Sequence, residues 1–135
     1  VDGSVVGQCG RGLLVLVAAH KNDTPAQANK LADKVVGLRI FNDAEGKMNL
    51  ALKDLDSTGE AELLIISNFT LYGDALKSRR PSFVDSAGYD AGEALYNCFL
   101  AALKELNKNV QAGIFGADMK VELLNDGPVT LIIDV

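Results

Sequence analysis

The run Leu13-Leu14-Val15-Leu16-Val17 constrains the fold more than any other stretch of the chain. An aliphatic side chain at every position leaves no face for water, so the segment predicts a strand buried on both faces. Gly10-Arg11-Gly12 ahead of it predicts a turn that leads in from a short strand over residues 4–9. A strand covered on both sides needs sheet neighbours and helices laid over it, and the remaining sequence carries signals for both.

Thr24-Pro25-Ala26-Gln27 marks the start of a helix. Thr24 can cap, Pro25 suits the first helical position, and Gln27 can close a capping box. Ala28, Leu31, Ala32, Val35 and Leu38 then recur at helical spacing and give that helix one apolar face. Leu38-Arg39-Ile40-Phe41 and Met48-Asn49-Leu50-Ala51-Leu52 read as a hairpin closed across residues 42–47, with Asp43 and Glu45 as turn residues flanking Gly46. A polar stretch over residues 53–60 leads into a central strand, Ala61-Glu62-Leu63-Leu64-Ile65-Ile66-Ser67. Residues 73–88 read as a long functional loop.

A second helix starts at Asp90-Ala91-Gly92-Glu93, with Asp90 at its cap and Tyr89 and Ala94 placed as a hydrophobic staple. Its core face comprises Ala94, Leu95, Cys98, Phe99, Ala102, Leu103 and Leu106. Two closing strands are expected over residues 119–124 and 129–135. This order predicts one α/β domain over residues 1–135. The architecture is a mixed, mostly antiparallel sheet or a partly closed barrel, with two helices packed on one side.

Composition narrows the function. A net charge of -5 argues against an electrostatically dominated nucleic-acid binder, DNA binders included, yet leaves room for a protein that grips only the end of an RNA. The local positive cluster Lys77, Arg79 and Arg80 is either a solvated loop or such a grip. The longest apolar run is too short to cross a bilayer, and no signal-peptide pattern opens the chain, so no membrane partner is expected. Cys9 and Cys98 cannot define a disulfide framework, which fits a reducing cytoplasm. The sequence opens on Val1, not Met, and so begins after processing or part-way into its protein.

Several catalytic designs fail on inventory. His20 is the single histidine, placed at the end of an apolar strand and read as a surface or structural residue. The chain cannot assemble a usual zinc set. Gly10-Arg11-Gly12 lacks the Lys-Ser/Thr ending of a phosphate loop and precedes a strand. Hydroxyls and backbone are left. Ser67-Asn68-Phe69-Thr70-Leu71 ends the buried strand, where side chains and free N–H groups either line a pocket or are satisfied locally. A Ser or Thr hydroxyl is a poor nucleophile without a base, and none accompanies Ser67 or Thr70. A hydrolase built this way needs a reactive substrate, or one that assists its own cleavage. Gly127-Pro128 is the other anomaly. Proline belongs at a strand's first residue or edge, and the segment is either an ordinary turn or a cis bond aiming neighbouring carbonyls the same way.

Together these segments resemble the bacterial and eukaryotic D-aminoacyl-tRNA deacylases, formerly called D-tyrosyl-tRNA deacylases. The family's paired signatures are Ser-Gln-x-x-Leu and Asn-x-Gly-Pro-Val-Thr. Here they stand as Ser67-Asn68-Phe69-Thr70-Leu71 and Asn125-Asp126-Gly127-Pro128-Val129-Thr130. Family-like stretches at residues 41–49, Arg80-Pro81-Ser82-Phe83 and Ala117-Asp118-Met119 follow in the same order.

The resemblance implies hydrolysis of D-aminoacyl-tRNA, and of glycyl-tRNA mischarged on tRNA(Ala), by a homodimer with active sites at the interface, without metal or cofactor. The substrate contact is the aminoacyl-tRNA 3′ end. On that reading Ser67, Phe69 and Thr70 line the ester site, and Asn68, Val129 and Thr130 border the substrate. Gly127 and Pro128, joined by a cis bond, reach into the partner's pocket and reject L-amino acids. Met119 and Gly92 are wall residues, and Lys77, Arg79 and Arg80 are the phosphate contacts.

Two departures stand out. Asn68 replaces the usual Gln, and Gly92 stands where a small alanine is expected. The resemblance also implies an opening strand with a Gln-Arg-Val stretch, ahead of the residues given, whose arginine helps hold the Gly-Pro loop. Two other functions compatible with these residues are an inactive dimeric RNA-end binding module and a related deacylase for L-alanyl mischarged tRNA.

Overall fold

A computed structural model describes residues 1–56, 59, 61–107 and 109–135. Its centre is a three-stranded sheet ordered β1-β4-β5, made of β1 (Gly12–Val17), β4 (Glu62–Ser67) and β5 (Val110–Ala112). Both pairings are parallel. The expected mostly antiparallel sheet is corrected here. Helical segments separate the three strands in sequence, α1 (Pro25–Gly37) and α2 (Leu52–Leu55) before β4 and α3 (Tyr89–Leu106) before β5, and parallel strands need such long crossovers. Antiparallel pairing is confined to a separate hairpin of β2 (Arg39–Asn42) and β3 (Met48–Ala51). No closed barrel forms among the described residues.

Helix α1 (Pro25–Gly37) starts as its sequence predicts. Thr24 Oγ1 accepts from Ala26 N at 3.3 Å, and Gln27 Oε1 accepts from Thr24 N at 2.9 Å, closing a capping box. Its buried face is Ala28, Ala32, Val35 and Val36. Helix α3 (Tyr89–Leu106) packs against α1. It begins at Gly88, not at Asp90, and no side chain caps it; Asp90 lies in the first turn, where its charge complements the helix dipole. Its core face is narrower than the periodicity suggests. Phe99 and Leu103 are buried, whereas Ala94 is exposed and Leu106 is 44% exposed. Tyr96 is buried with them, its hydroxyl donating to the Ile65 carbonyl at 3.1 Å, which lets a polar tip enter the core.

Leu63 and Ile65 of β4 face these helices and are fully buried. The hairpin turn is organised by Asp43, whose carboxylate accepts from the Glu45 and Lys47 N–H groups and from Asn49. Those bonds hold its carboxyl below the ordinary Asp range. A short helix, α2 (Leu52–Leu55), falls in the stretch read as polar; residues 57, 58 and 60 of that stretch lie outside the described residues.

Three strand expectations are corrected. Residues 4–9 run beside β5 and β4 without a strand ladder, held by Gln8 N donating to the Gln111 side chain and Gly10 N donating to Glu62. Residues 119–124 and 129–135 have strand-like sequences but pair with no strand among the described residues. Alternating apolar residues give propensity, whereas a strand exists only by hydrogen bonding to a neighbour. Leu124 and Ile132 are left 95% and 100% exposed. β1 is also less covered than its all-apolar run implies. Among the described residues it pairs only with β4, at the sheet edge, and Leu16 is 44% exposed.

Gly12 sets how closely β1 approaches β4. A Cβ there would run into the main chain of Glu62, its register partner. At Gly37, by contrast, a Cβ meets nothing within 4 Å. Gly12→Ala is therefore expected to destabilise the fold by about 1–3 kcal/mol. Gly37→Ala is expected to be neutral or to stabilise by up to about 1 kcal/mol. Urea unfolding of both variants checks the contrast.

Candidate functional site

Parallel strands deliver their carboxyl ends to the same edge of a sheet, and in open α/β sheets that edge is where ligands bind. Here Val17-Ala18-Ala19 follows β1 and Ser67-Asn68-Phe69 follows β4, tied together by Asn68 N donating to the Val17 carbonyl at 2.8 Å. A cavity of about 500 Å³ opens at this edge. Its far wall is the first turn of α3 around Gly92, with Phe115 and Gly116, and the chain's end at Ile133-Asp134-Val135 closes one side. The lining is mainly aromatic and aliphatic, with a few polar groups, the composition of a small-molecule pocket.

The main chain turns sharply after β4. Phe69–Tyr72 forms a single 3₁₀ turn, with Leu71 N bonded to the Asn68 carbonyl and Gly73 N to the Thr70 carbonyl. The first N–H groups of such a turn have no partner within it. Among the described residues, no acceptor engages the Phe69 or Thr70 N–H. The Thr70 hydroxyl donates to Asn68 Oδ1 at 2.6 Å, so its proton is held by an amide oxygen, which is no base.

Tyr72, at the end of the turn, faces the cavity. Burial pushes its phenol above the ordinary Tyr value, and the Asp23 and Asp134 carboxylates push the same way. It is thus a neutral hydroxyl at neutral pH. The His20 ring tilts against it at 5.4 Å. Asp23 accepts from His20 N at 2.8 Å, and His20 Nδ1 accepts from Asn22 N at 3.1 Å, so His20 serves as a structural corner.

The residues singled out in the sequence separate into two groups. Ser67, Asn68, Phe69 and Gly92 share the cavity wall. At Gly92 an alanine methyl would meet the Phe115 ring at 3.5 Å, an ordinary van der Waals distance, so glycine leaves that space open. Thr70 is exposed just outside the wall. Met119 lies away from it, its sulfur packed over Gly113, where no side chain intervenes. Gly127, Pro128 and Thr130 are exposed, Val129 is half-buried, and none of them lines this chain's own cavity. The Gly127–Pro128 bond is cis, and Asn125 Nδ2 donates to Thr130 Oγ1 at 3.4 Å across the loop. Lys77, Arg79 and Arg80 are exposed on a loop over residues 74–82, closed by paired main-chain bonds between Asp74 and Ser82.

Sequence reading missed Tyr72, Asp23, Phe115 and Asp134. Each lies on a separate segment and carries no motif, so only the folded edge brings them together. No group of three or more His, Cys, Asp or Glu side chains among the described residues is placed to hold a metal ion. No helix among them is long and apolar enough to cross a membrane.

The model of the family described as D-Tyr-tRNA(Tyr) deacylase matches residues 1–134. The chain belongs to that family. Among similar proteins, a D-aminoacyl-tRNA deacylase of Clostridium botulinum (strain Eklund 17B / Type B) is 52% identical over 134 residues, covering 99% of this chain and 87% of the relative. One from Thermotoga petrophila is 49% identical over the same shares. Among solved structures, the c-Myc DNA Unwinding Element Binding Protein superposes with a TM-score of 0.86 at 33% identity, covering 96% of this chain and 85% of that one. A probable eukaryotic D-amino acid tRNA deacylase gives 0.75 at 20% identity, covering 89% and 83%, and so shares the fold.

One loop that walls this deacylase-family cavity is pinned from outside. Residues 82–88 are tied to the end of β1 by Lys21 N donating to the Asp85 carbonyl at 2.9 Å and Ala87 N to the Ala19 carbonyl at 2.8 Å. Lys21 Nζ also pairs with Asp85 Oδ1 at 2.7 Å. The hydrogen bond and the charge of Lys21 hold the Asp85 carboxyl below the ordinary Asp range. A lowered folded-state value stabilises above the unfolded Asp pKa and fades as pH falls through the folded one. Lys21→Met is expected to return the Asp85 midpoint to the ordinary range and to remove that acid-side dependence, as read by carboxyl NMR titration.

Proposed function

We propose that this chain hydrolyses the ester bond of D-aminoacyl-tRNA, releasing the D-amino acid and free tRNA. The observation that carries this reading is the family match over nearly the whole chain, with relatives named D-aminoacyl-tRNA deacylase at about half identity. The cavity's size and apolar lining suit an aminoacyl group on a terminal nucleoside. Glycyl-tRNA mischarged on tRNA(Ala) belongs to the same proposal, since glycine has no side chain for a chiral filter to reject.

The mechanism we infer is substrate-assisted. An aminoacyl ester is already activated, and the terminal ribose carries a neighbouring 2′-hydroxyl. Water adds to the ester carbonyl carbon, and the resulting oxyanion takes hydrogen bonds from the Phe69 and Thr70 N–H groups. The neighbouring 2′-hydroxyl relays the proton given up by the attacking water to the ribose 3′-oxygen, which collapse expels as the tRNA hydroxyl. The bond from Thr70 to the Asn68 amide supports this order of events, because that hydroxyl has no base to activate it as a nucleophile. Asn68, one methylene shorter than glutamine, holds its amide close to the turn. Ser67 and Gly92 bound the ester end of the cavity, with Met119 beneath the neighbouring segment.

Gly127 and Pro128, with Val129 and Thr130 behind them, act on the cavity of a second copy. Their exposure, and their absence from the cavity of their own chain, support a loop that reaches across a homodimer. Leu124 and Ile132, fully solvated on one chain, supply apolar surface for that interface. A tRNA substrate and free Cys9 and Cys98 thiols fit a cytoplasmic enzyme.

Release of amino acid from D-tyrosyl-tRNA, with L-tyrosyl-tRNA as control, tests the activity. Turnover of the D-form alone is expected. Binding without turnover would make the chain an RNA-end module instead, and turnover of L-alanyl mischarged tRNA would point to the related deacylases. Thr70→Ala should lower kcat by less than about tenfold, whereas removing a true nucleophile costs on the order of 10⁴–10⁶. Changing Lys77, Arg79 and Arg80 together to Gln should weaken tRNA binding. It should also flatten the slope of affinity against salt by about 0.7 for each phosphate that is no longer neutralised. An unchanged slope would leave those side chains as a solvated loop.

A further inference from the structure

Phe69 is a large apolar side chain at the cavity rim, yet it is 58% exposed. Its ring is not loose. Phe83 meets it edge to face, centroids 5.2 Å apart at 69°. Phe83 is itself clamped from both sides. Just before it, Asp74 and Ser82 exchange two main-chain bonds of 2.8 and 2.9 Å. Just after it, Ser86 N donates to the Phe83 carbonyl at 3.1 Å, and residues 85 and 87 are tied to the end of β1. Gly73 completes the seat, since a Cβ there would lie 2.9 Å from the Phe83 ring.

The bonds that fix Phe83 also close the loop over residues 74–82, which carries Lys77, Arg79 and Arg80 into solvent. Arg79 and Arg80 are four and three residues from Phe83, so their Cα atoms lie within about 15 Å of it. A rigid aromatic pair thus stands at the neck of a loop whose tip is basic, on a chain of net charge -5. Stacking faces beside backbone-directed cations are the combination that binds single-stranded nucleic acid. An apolar protein partner would have no use for three cations on the loop at whose neck the ring pair stands.

We propose that the Phe69–Phe83 pair is a stacking platform for the base that precedes the terminal nucleoside of the RNA 3′ end, with the 77–80 cations on the phosphates leading to it. This rests on the deacylase reading, which places the terminal, ester-bearing nucleoside in the cavity. The strand then leaves over the rim on the Phe69 side. Tyr89 is another exposed ring of the cavity, but it packs against Phe115, whereas Phe69 packs against Phe83 at the neck of the basic loop. The T-shaped arrangement fixes the platform while leaving ring surface open for a base.

The test uses the full chain and two short oligoribonucleotides. One ends in cytidine-adenosine; the other has an abasic ribose in place of that cytidine. The wild-type chain is expected to bind the intact strand about five- to tenfold more tightly. Phe83→Leu should lose that preference and Phe83→Tyr should keep it. Equal binding of both strands by the wild type overturns the platform without any variant having to fold. A preference that survives Phe83→Leu overturns the role of Phe83 in it. Hydrolysis of D-tyrosyl-tRNA is followed in parallel. Absent turnover with the preference intact refutes the deacylase reading and leaves the platform standing.

Discussion

The parallel pairing of β1 with β4 is the interaction on which the remaining structure depends. It runs in continuous register from Gly12 opposite Glu62 to Val17 opposite Ser67. A missing side chain at Gly12 permits the close start of that ladder, and full burial of Leu63 and Ile65 under two helices holds it. Because the strands are parallel, both end at the same edge, and both segments must turn there. One turn becomes the His20 corner, the other the 3₁₀ turn over Phe69–Tyr72. The cavity is the space between those turns and the first turn of α3.

That origin accounts for the chemistry the site can offer. Strand ends and short turns leave main-chain N–H groups without partners, and the surrounding side chains are chiefly rings and aliphatics. Charged or nucleophilic machinery is sparse. The Thr70 hydroxyl is held by the Asn68 amide, and Tyr72 is kept neutral by burial and nearby carboxylates. Such a pocket suits a substrate whose bond is already reactive. The chain that carries it belongs to the family described as D-Tyr-tRNA(Tyr) deacylase.

Much of the local structure was legible in the residues. The Thr24 and Gln27 capping box and the Asp43 turn depend on near neighbours, so spacing alone reveals them. The run Leu13-Leu14-Val15-Leu16-Val17 signalled a strand by composition, though its partner lies far off at residues 62–67. Where the reading failed, the deciding partner was distant. The sheet proved parallel because of which strands met, not because of their composition. Residues 119–124 and 129–135 read as strands but find no ladder among the described residues. Asp90 looked like a cap, yet α3 begins earlier, where the loop tied to β1 delivers Gly88.

The sequence by itself determined the start of α1 and most of its apolar face, and the two signature segments at residues 67–71 and 125–130. Through those segments it also determined the family. Each is a statement about short stretches, in which covalent neighbours set the geometry. Only the tertiary structure decided that Ser67, Asn68, Phe69 and Gly92 share one wall, that Tyr72 and Asp134 join them, and that Gly127 and Pro128 stand apart from their own chain's cavity. The reason is physical. A pocket is a meeting of segments far apart in sequence, fixed by burial and strand register that no single segment encodes.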